Sequence, residues 1–109
     1  MVKFSLYLDR LKEGETVLAK IKIGCFQYTI IEVKSVSKFE PRKGEIDLLQ
    51  RVIKIDSDMT PQDKQETLLH EIIHGIDEFM RIGLEEEQVK KLGAALAMVL
   101  IDNPGLIDL

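Results

Sequence analysis

Hydrophobic positions along the chain follow a two-residue period first and a helical period afterwards. Leu18, Lys20 and Lys22 alternate with Ala19, Ile21 and Ile23, which predicts a half-buried strand. Gly24 interrupts, and Tyr28 to Val33 reads as a second strand, so the two are expected to pair as a hairpin. Lys38 to Gly44 is a charged loop with Pro41 and Gly44 as breakers. Glu45 to Leu49 then adds a short strand. Arg51 to Asp56 is a firmer one, alternating Val52 and Lys54 against Ile53 and Ile55.

From Asp58 onward the period is helical. Thr60 is a good N-cap, Pro61 suits the first helical position, and Asp63 adds favourable charge in the first turn. Leu69, Ile72, Ile73, Ile76 and Met80 recur on one stripe, widened by Leu68 and Phe79, and Gly83 is placed to close the helix. A second helix is predicted from about Glu85 to Asp102, with acids at its start and Asn103-Pro104-Gly105 ending it. Its stripe is Val89, Leu92, Leu96, Val99 and Leu100. Ala94, Ala95, Ala97, Met98 and Ile101 leave little polar face in its last turns, so this helix is either well buried or part of an oligomer contact. The pattern predicts one α+β domain over residues 1–109. A small, mostly antiparallel sheet occupies the β-rich half, 1–57, and two packed helices follow in 58–109.

Composition narrows the function classes. Fifteen Lys and Arg against nineteen Asp and Glu give a net charge of −4, so no general attraction to a phosphate backbone is expected and nucleic acid is not an expected partner. The single cysteine, Cys25, cannot form an internal disulfide; beside Gly24 it reads as a small buried hydrophobe. The stretch from Met1 to Arg10 lacks a long apolar run before its first charges, and the run from Ala94 to Ile101 is too short to cross a bilayer. The expectation is a soluble cytoplasmic domain with no membrane partner. The charged residues Lys38, Arg42 and Lys43 read as a solvated loop.

The informative segment is Leu69-His70-Glu71-Ile72-Ile73-His74, a His-Glu-x-x-His sequence inside a predicted amphipathic helix. At 3.6 residues per turn, His70 and His74 stand on one face, from which two imidazoles can reach a single metal. Glu71 lies about 100° further round, beside such an ion, where it can take a proton from an acidified water. These are the only two histidines in the chain, and they border the Ile73 edge of the apolar stripe.

A catalytic zinc site wants three protein ligands and one open position. With no third histidine and no paired thiolate, the third ligand is expected to be a carboxylate: Glu85, Glu86, Glu87 or Asp77. Asp77 shares the histidine face but lies a turn further along the same helix, where three ligands rarely converge. It reads as a group orienting an imidazole, or as a solvated helix acid. Glu87 points away from the stripe of the second helix, Glu85 is nearest its centre, and Glu86 lies at its edge in phase with Val89, Gly93, Leu96 and Leu100. Since the histidines also lie at the edge of their stripe, Glu86 is favoured, with Glu85 next. The expected cofactor is one Zn²⁺ ion, although Mn, Fe, Co or Ni accept the same N and O donors.

Three segments also carry a resemblance: Leu68-Leu69-His70-Glu71-Ile72-Ile73-His74-Gly75-Ile76-Asp77, then Glu86-Glu87-Gln88-Val89 with Leu92, then Asp102-Asn103-Pro104. Together they resemble a group of small zincin-like proteins found mainly in bacteriophages and prophages. More distantly they resemble the metallopeptidases of mobile elements that cleave immunity repressors. The likeness covers the C-terminal two-thirds of the chain and implies a minimal zincin-like metalloprotease fold. It implies a gluzincin-type site, with His70 and His74 from one helix, Glu86 from the next and Glu71 as general base. It also implies that Arg51 to Asp56 is an edge strand along which a peptide lies by β-augmentation. Lys90 departs from the resemblance, since such relatives often carry an acid there, and the chain is much shorter than established peptidases of this class. Neither Tyr7 nor Tyr28 is assigned as an oxyanion stabiliser, Tyr28 reading as a strand residue that packs a sheet face.

The resulting expectation is zinc-dependent hydrolysis of peptide bonds, the peptide or protein substrate being undefined. The alternative is a phage-type accessory or assembly protein whose zinc is structural or vestigial and which acts by binding a partner. The apolar end of the second helix and Leu106-Ile107 support that alternative and a homo-oligomer through this helix.

Overall fold

The computed structural model describes residues 14–34, 36 and 43–108. Tyr7 and the loop residues 38–42 therefore lie outside the described residues. Strands β1 (Thr16–Ile23), β2 (Phe26–Val33), β3 (Gly44–Asp47) and β4 (Val52–Asp56) are followed by helices α1 (Pro61–Met80) and α2 (Glu86–Asp102) and a 3₁₀ turn, Leu106–Asp108. The change from strand to helix falls between Asp56 and Pro61, close to where the sequence period changes.

β1 and β2 form the expected antiparallel hairpin, with Ile23 opposite Phe26. Gly24 takes the first position of its two-residue turn at φ 62°, a conformation that costs glycine little. A Cβ there would collide with the ring of Phe79 in α1, so the same glycine lets the helix press on the turn. Cys25, the second turn residue, is exposed. The expectation of a buried cysteine is thus corrected, because a tight turn directs its second side chain outward.

The sheet order is β1-β2-β4-β3, with β2 and β4 parallel and both outer pairings antiparallel, so the sheet is mixed. β4 is an inner strand, not the edge strand implied by the resemblance. The residues explain the exchange. Val52, Ile53 and Ile55 bury both faces of β4, which suits a strand with neighbours on either side. Gly44-Glu45-Ile46-Asp47 is short and half polar, as an edge strand tends to be. In the connection of β3 to β4, Asp47 Oδ1 accepts hydrogen bonds from the N–H groups of Leu49 and Gln50. Arg51 follows in the left-handed region at φ 58° and stacks on Phe26, its guanidinium carbon 3.9 Å from the ring centroid.

One face of the sheet carries Ile23, Tyr28, Ile30, Ile53 and Ile55 and receives Leu68 and Ile72 of α1. Ile31, Val33 and Val52 form a second apolar cluster. Thr60 caps α1 as expected, its hydroxyl accepting from the Asp63 N–H at 3.2 Å. Lys64 Nζ, 3.0 Å from Glu32 Oε1, ties the first turns of α1 to β2. The helix ends earlier than Gly83 suggests: Arg81 takes the left-handed capping position at φ 55°.

α2 packs on α1 and barely touches the sheet, which leaves α1 as the middle layer. The expected apolar stripe of α2 divides. Val89 is buried together with the small residues Gly93 and Ala97, whereas Leu92, Leu96, Val99 and Leu100 stay substantially exposed. Close packing of two helices selects the residues with least side chain. Among the described residues, no helix is long and apolar enough to cross a membrane.

Ile53 is fully buried at the centre of the sheet. Ile53→Ala is expected to lower the unfolding free energy by about 2–5 kcal/mol, read from a shifted urea midpoint at unchanged slope.

Candidate metal centre

His70 and His74 project from the side of α1 that meets α2, their ring centroids 5.0 Å apart and their planes at 64°. The α2 backbone comes close at this point. A Cβ built on Gly93 would stand 3.2 Å from the Cα of His70 and 3.3 Å from its N. This approach brings the first turn of α2 over the imidazoles. Glu86 Oε1 lies 2.8 Å from His70 Nε2 and Glu86 Oε2 lies 3.0 Å from His74 Nε2. One carboxylate thus bridges both rings, and of the four acids considered it is Glu86 that reaches them.

Two local features aim Glu86. Glu85 is the N-cap of α2, and its N–H donates to Gln88 Oε1 at 2.9 Å, which leaves Glu86 as the first helical residue. Asp77 holds the connection between the helices: its Oδ1 accepts from the N–H of Gly83 at 2.7 Å and of Leu84 at 3.2 Å. The expectation that Asp77 orients an imidazole or is merely solvated is corrected. One turn beyond His74 the helix is ending, and the nearest unpaired donors belong to the reversing backbone. The positive end of the α2 dipole also favours carboxylates at Glu86 and Glu87.

The donor set fits a divalent ion. The ligand atoms of His70, His74 and Glu86 all lie within 4.8 Å of one another. Bonds of about 2.0–2.2 Å to a tetrahedral ion separate its donors by roughly 3.3–3.6 Å. With one Glu86 oxygen as the ligand, its 2.8 Å pair with His70 opens by about 0.5–0.8 Å to share an ion. Two imidazoles and one carboxylate are a donor set zinc uses, and three ligands leave a fourth position for water. The imidazoles are 23% and 29% exposed and the Glu86 side chain 68%, so the trio is walled by protein on the histidine side and open beside Glu86.

Glu71 does not join this trio. It is buried, with Oε2 lying 3.4 Å from where a Cβ on Gly44 would stand, between α1 and the first residue of β3. It thus occupies the adjoining side of α1, next to the edge strand. Further along that side, at the C-terminal end of α1, a cavity of about 400 Å³ is lined by Phe26, Leu48, Arg51, Glu78, Phe79 and Arg81 among others. Sequence periodicity gave no signal for this cavity, because it joins a helix end to two turns. Tyr28 also lines it but is rooted in the core. Burial pushes its phenol above the ordinary range, Arg51 lowering it and Glu78 raising it further.

Gly93→Val is expected to force α2 away from His70, lowering stability by about 1–3 kcal/mol and weakening binding of an added divalent ion, as read by urea unfolding and a metal titration. Asp77→Ala should cost about 1–2 kcal/mol through the lost backbone bonds and weaken binding of an added divalent ion about tenfold, with both histidines intact. No family model, no curated protein and no solved structure matches the chain.

Proposed function

We propose that the protein is a zinc-dependent peptidase. The observation that carries this reading is the bridging of His70 and His74 by Glu86 from the next helix while Glu71 stays outside the trio. His70, His74 and Glu86 would hold the zinc ion, which would supply Lewis acidity and acidify a bound water. Glu71, buried on the adjoining side of α1, serves as general base: it takes the proton from the attacking water and returns it to the departing amine. Its burial keeps bulk water from levelling that exchange.

β3, not residues 51–56, has the position for the substrate-binding role that the resemblance implies. It is the outer strand of the described sheet on the Glu71 side, and an extended peptide pairs with such a strand through its main chain. The 400 Å³ cavity at the end of α1 then receives a side chain of that peptide.

A second reading is favoured by one observation, the apolar residues that α2 leaves exposed. On that reading the zinc is structural and the protein is a phage-type accessory or assembly protein that acts through a partner. The two readings part at Glu71. Elemental analysis of protein purified without added metal is expected to give near-stoichiometric zinc, lost or weakened in Glu86→Ala. Glu71→Gln should retain the metal while peptide-library cleavage falls by about 10²–10⁴-fold. Metal-loaded wild type that cleaves nothing would leave the partner-binding reading.

A further inference from the structure

The side of the helix pair turned away from Glu71 is apolar and self-complementary. On α2, Val89, Gly93 and Ala97 mark the side against α1. Leu92, Leu96 and Val99 lie about 90° round from it and are 44%, 44% and 39% exposed. Their spacing, continued from Val89, alternates three and four residues, the repeat by which one helix seats in another. α1 adds Ile76 and Met80, 39% and 62% exposed, about 120° round from the histidines on the flank opposite Glu71. Because α1 and α2 run antiparallel through a short connection, these two ridges fall on the same flank of the pair. They form one apolar surface that no described element covers.

The polar residues beside this surface indicate what covers it. Lys91 and Asp102 lie on one border of the α2 ridge, about 100° round from it, both exposed. They stand five and six residues either side of Leu96. When a second α2 packs antiparallel about a two-fold axis at Leu96, each Lys91 comes level with Asp102 of the other copy. The same axis sets Leu92 against the Val99–Leu100 turn of the other copy. A two-fold axis perpendicular to both helices keeps like borders together, so the charges meet on one side and the α1 ridges on the other.

We propose that this surface is the interface of a symmetric homodimer, with α2 packed antiparallel against α2 of a second copy. Leu92, Leu96 and Val99 form its centre, Ile76 and Met80 extend it, and two Lys91–Asp102 pairs set its register. Glu71 lies roughly 160° round α1 from Ile76 and Met80, so the dimer leaves the metal centre open.

Sedimentation equilibrium of the full chain between about 1 and 100 μM tests this. Wild type is expected to dimerise, and Leu96→Glu to be monomeric throughout that range with unchanged circular dichroism and zinc content. The charge variants disturb no packing. Lys91→Asp should weaken the dimer about tenfold, since symmetry places two like-charge contacts in the interface, and Lys91→Asp combined with Asp102→Lys should restore it to within about threefold. Wild type that stays monomeric at 100 μM, or assembles into open-ended species, overturns the proposal. So does a dimer indifferent to Leu96→Glu, or a charge exchange that fails to rescue.

Discussion

The site depends on how closely two backbones approach at Gly93 and His70. With only a hydrogen in place of a side chain at Gly93, α2 comes within van der Waals reach of the α1 main chain. That distance sets where the first turn of α2 lies, and so whether a glutamate from it can span two imidazoles. Asp77 fixes the other variable, the angle at which the chain turns between the helices, by accepting from the N–H groups of Gly83 and Leu84. The trio of His70, His74 and Glu86 therefore rests on contacts made by residues that ligate nothing.

The layered arrangement then gives the faces of α1 separate tasks. The side towards α2 holds the imidazoles; the side towards the sheet carries Leu68 and Ile72 into the core. Between them Glu71 is buried beside Gly44 at the start of the edge strand. A carboxylate, a trio able to hold a metal ion and an outer strand thus meet along a single helix. α2, packed on one side only, keeps a second apolar ridge at the surface.

Much of this was legible in the chain. The hairpin, the two helices, the Thr60 cap and the pairing of His70 with His74 follow from local periodicity and capping, which act over a few residues. Glu86 was legible because the phases of both helices were. What periodicity could not rank was strand order. Val52 and Lys54 alternate with Ile53 and Ile55 as in a one-sided strand, yet Val52 and Ile55 are both buried and β4 lies inside the sheet. Nor could it tell which side of α2 would be covered, because a stripe of leucines and a row of Gly93 and Ala97 compete for the same neighbour. The exposed Cys25 is a smaller case of the same kind, a residue whose burial is set by a turn and not by its own polarity.

By itself, the sequence determined the elements and the residues able to bind a metal, since side-chain chemistry and helical period are properties of adjacent residues. Tertiary structure alone decided that β3 and not β4 is the outer strand, that Asp77 serves the backbone and not an imidazole, and that Glu71 is buried beside Gly44 at the start of the edge strand. Each of these depends on which distant groups compete for the same space or the same hydrogen bond. That competition is resolved only when the whole chain packs.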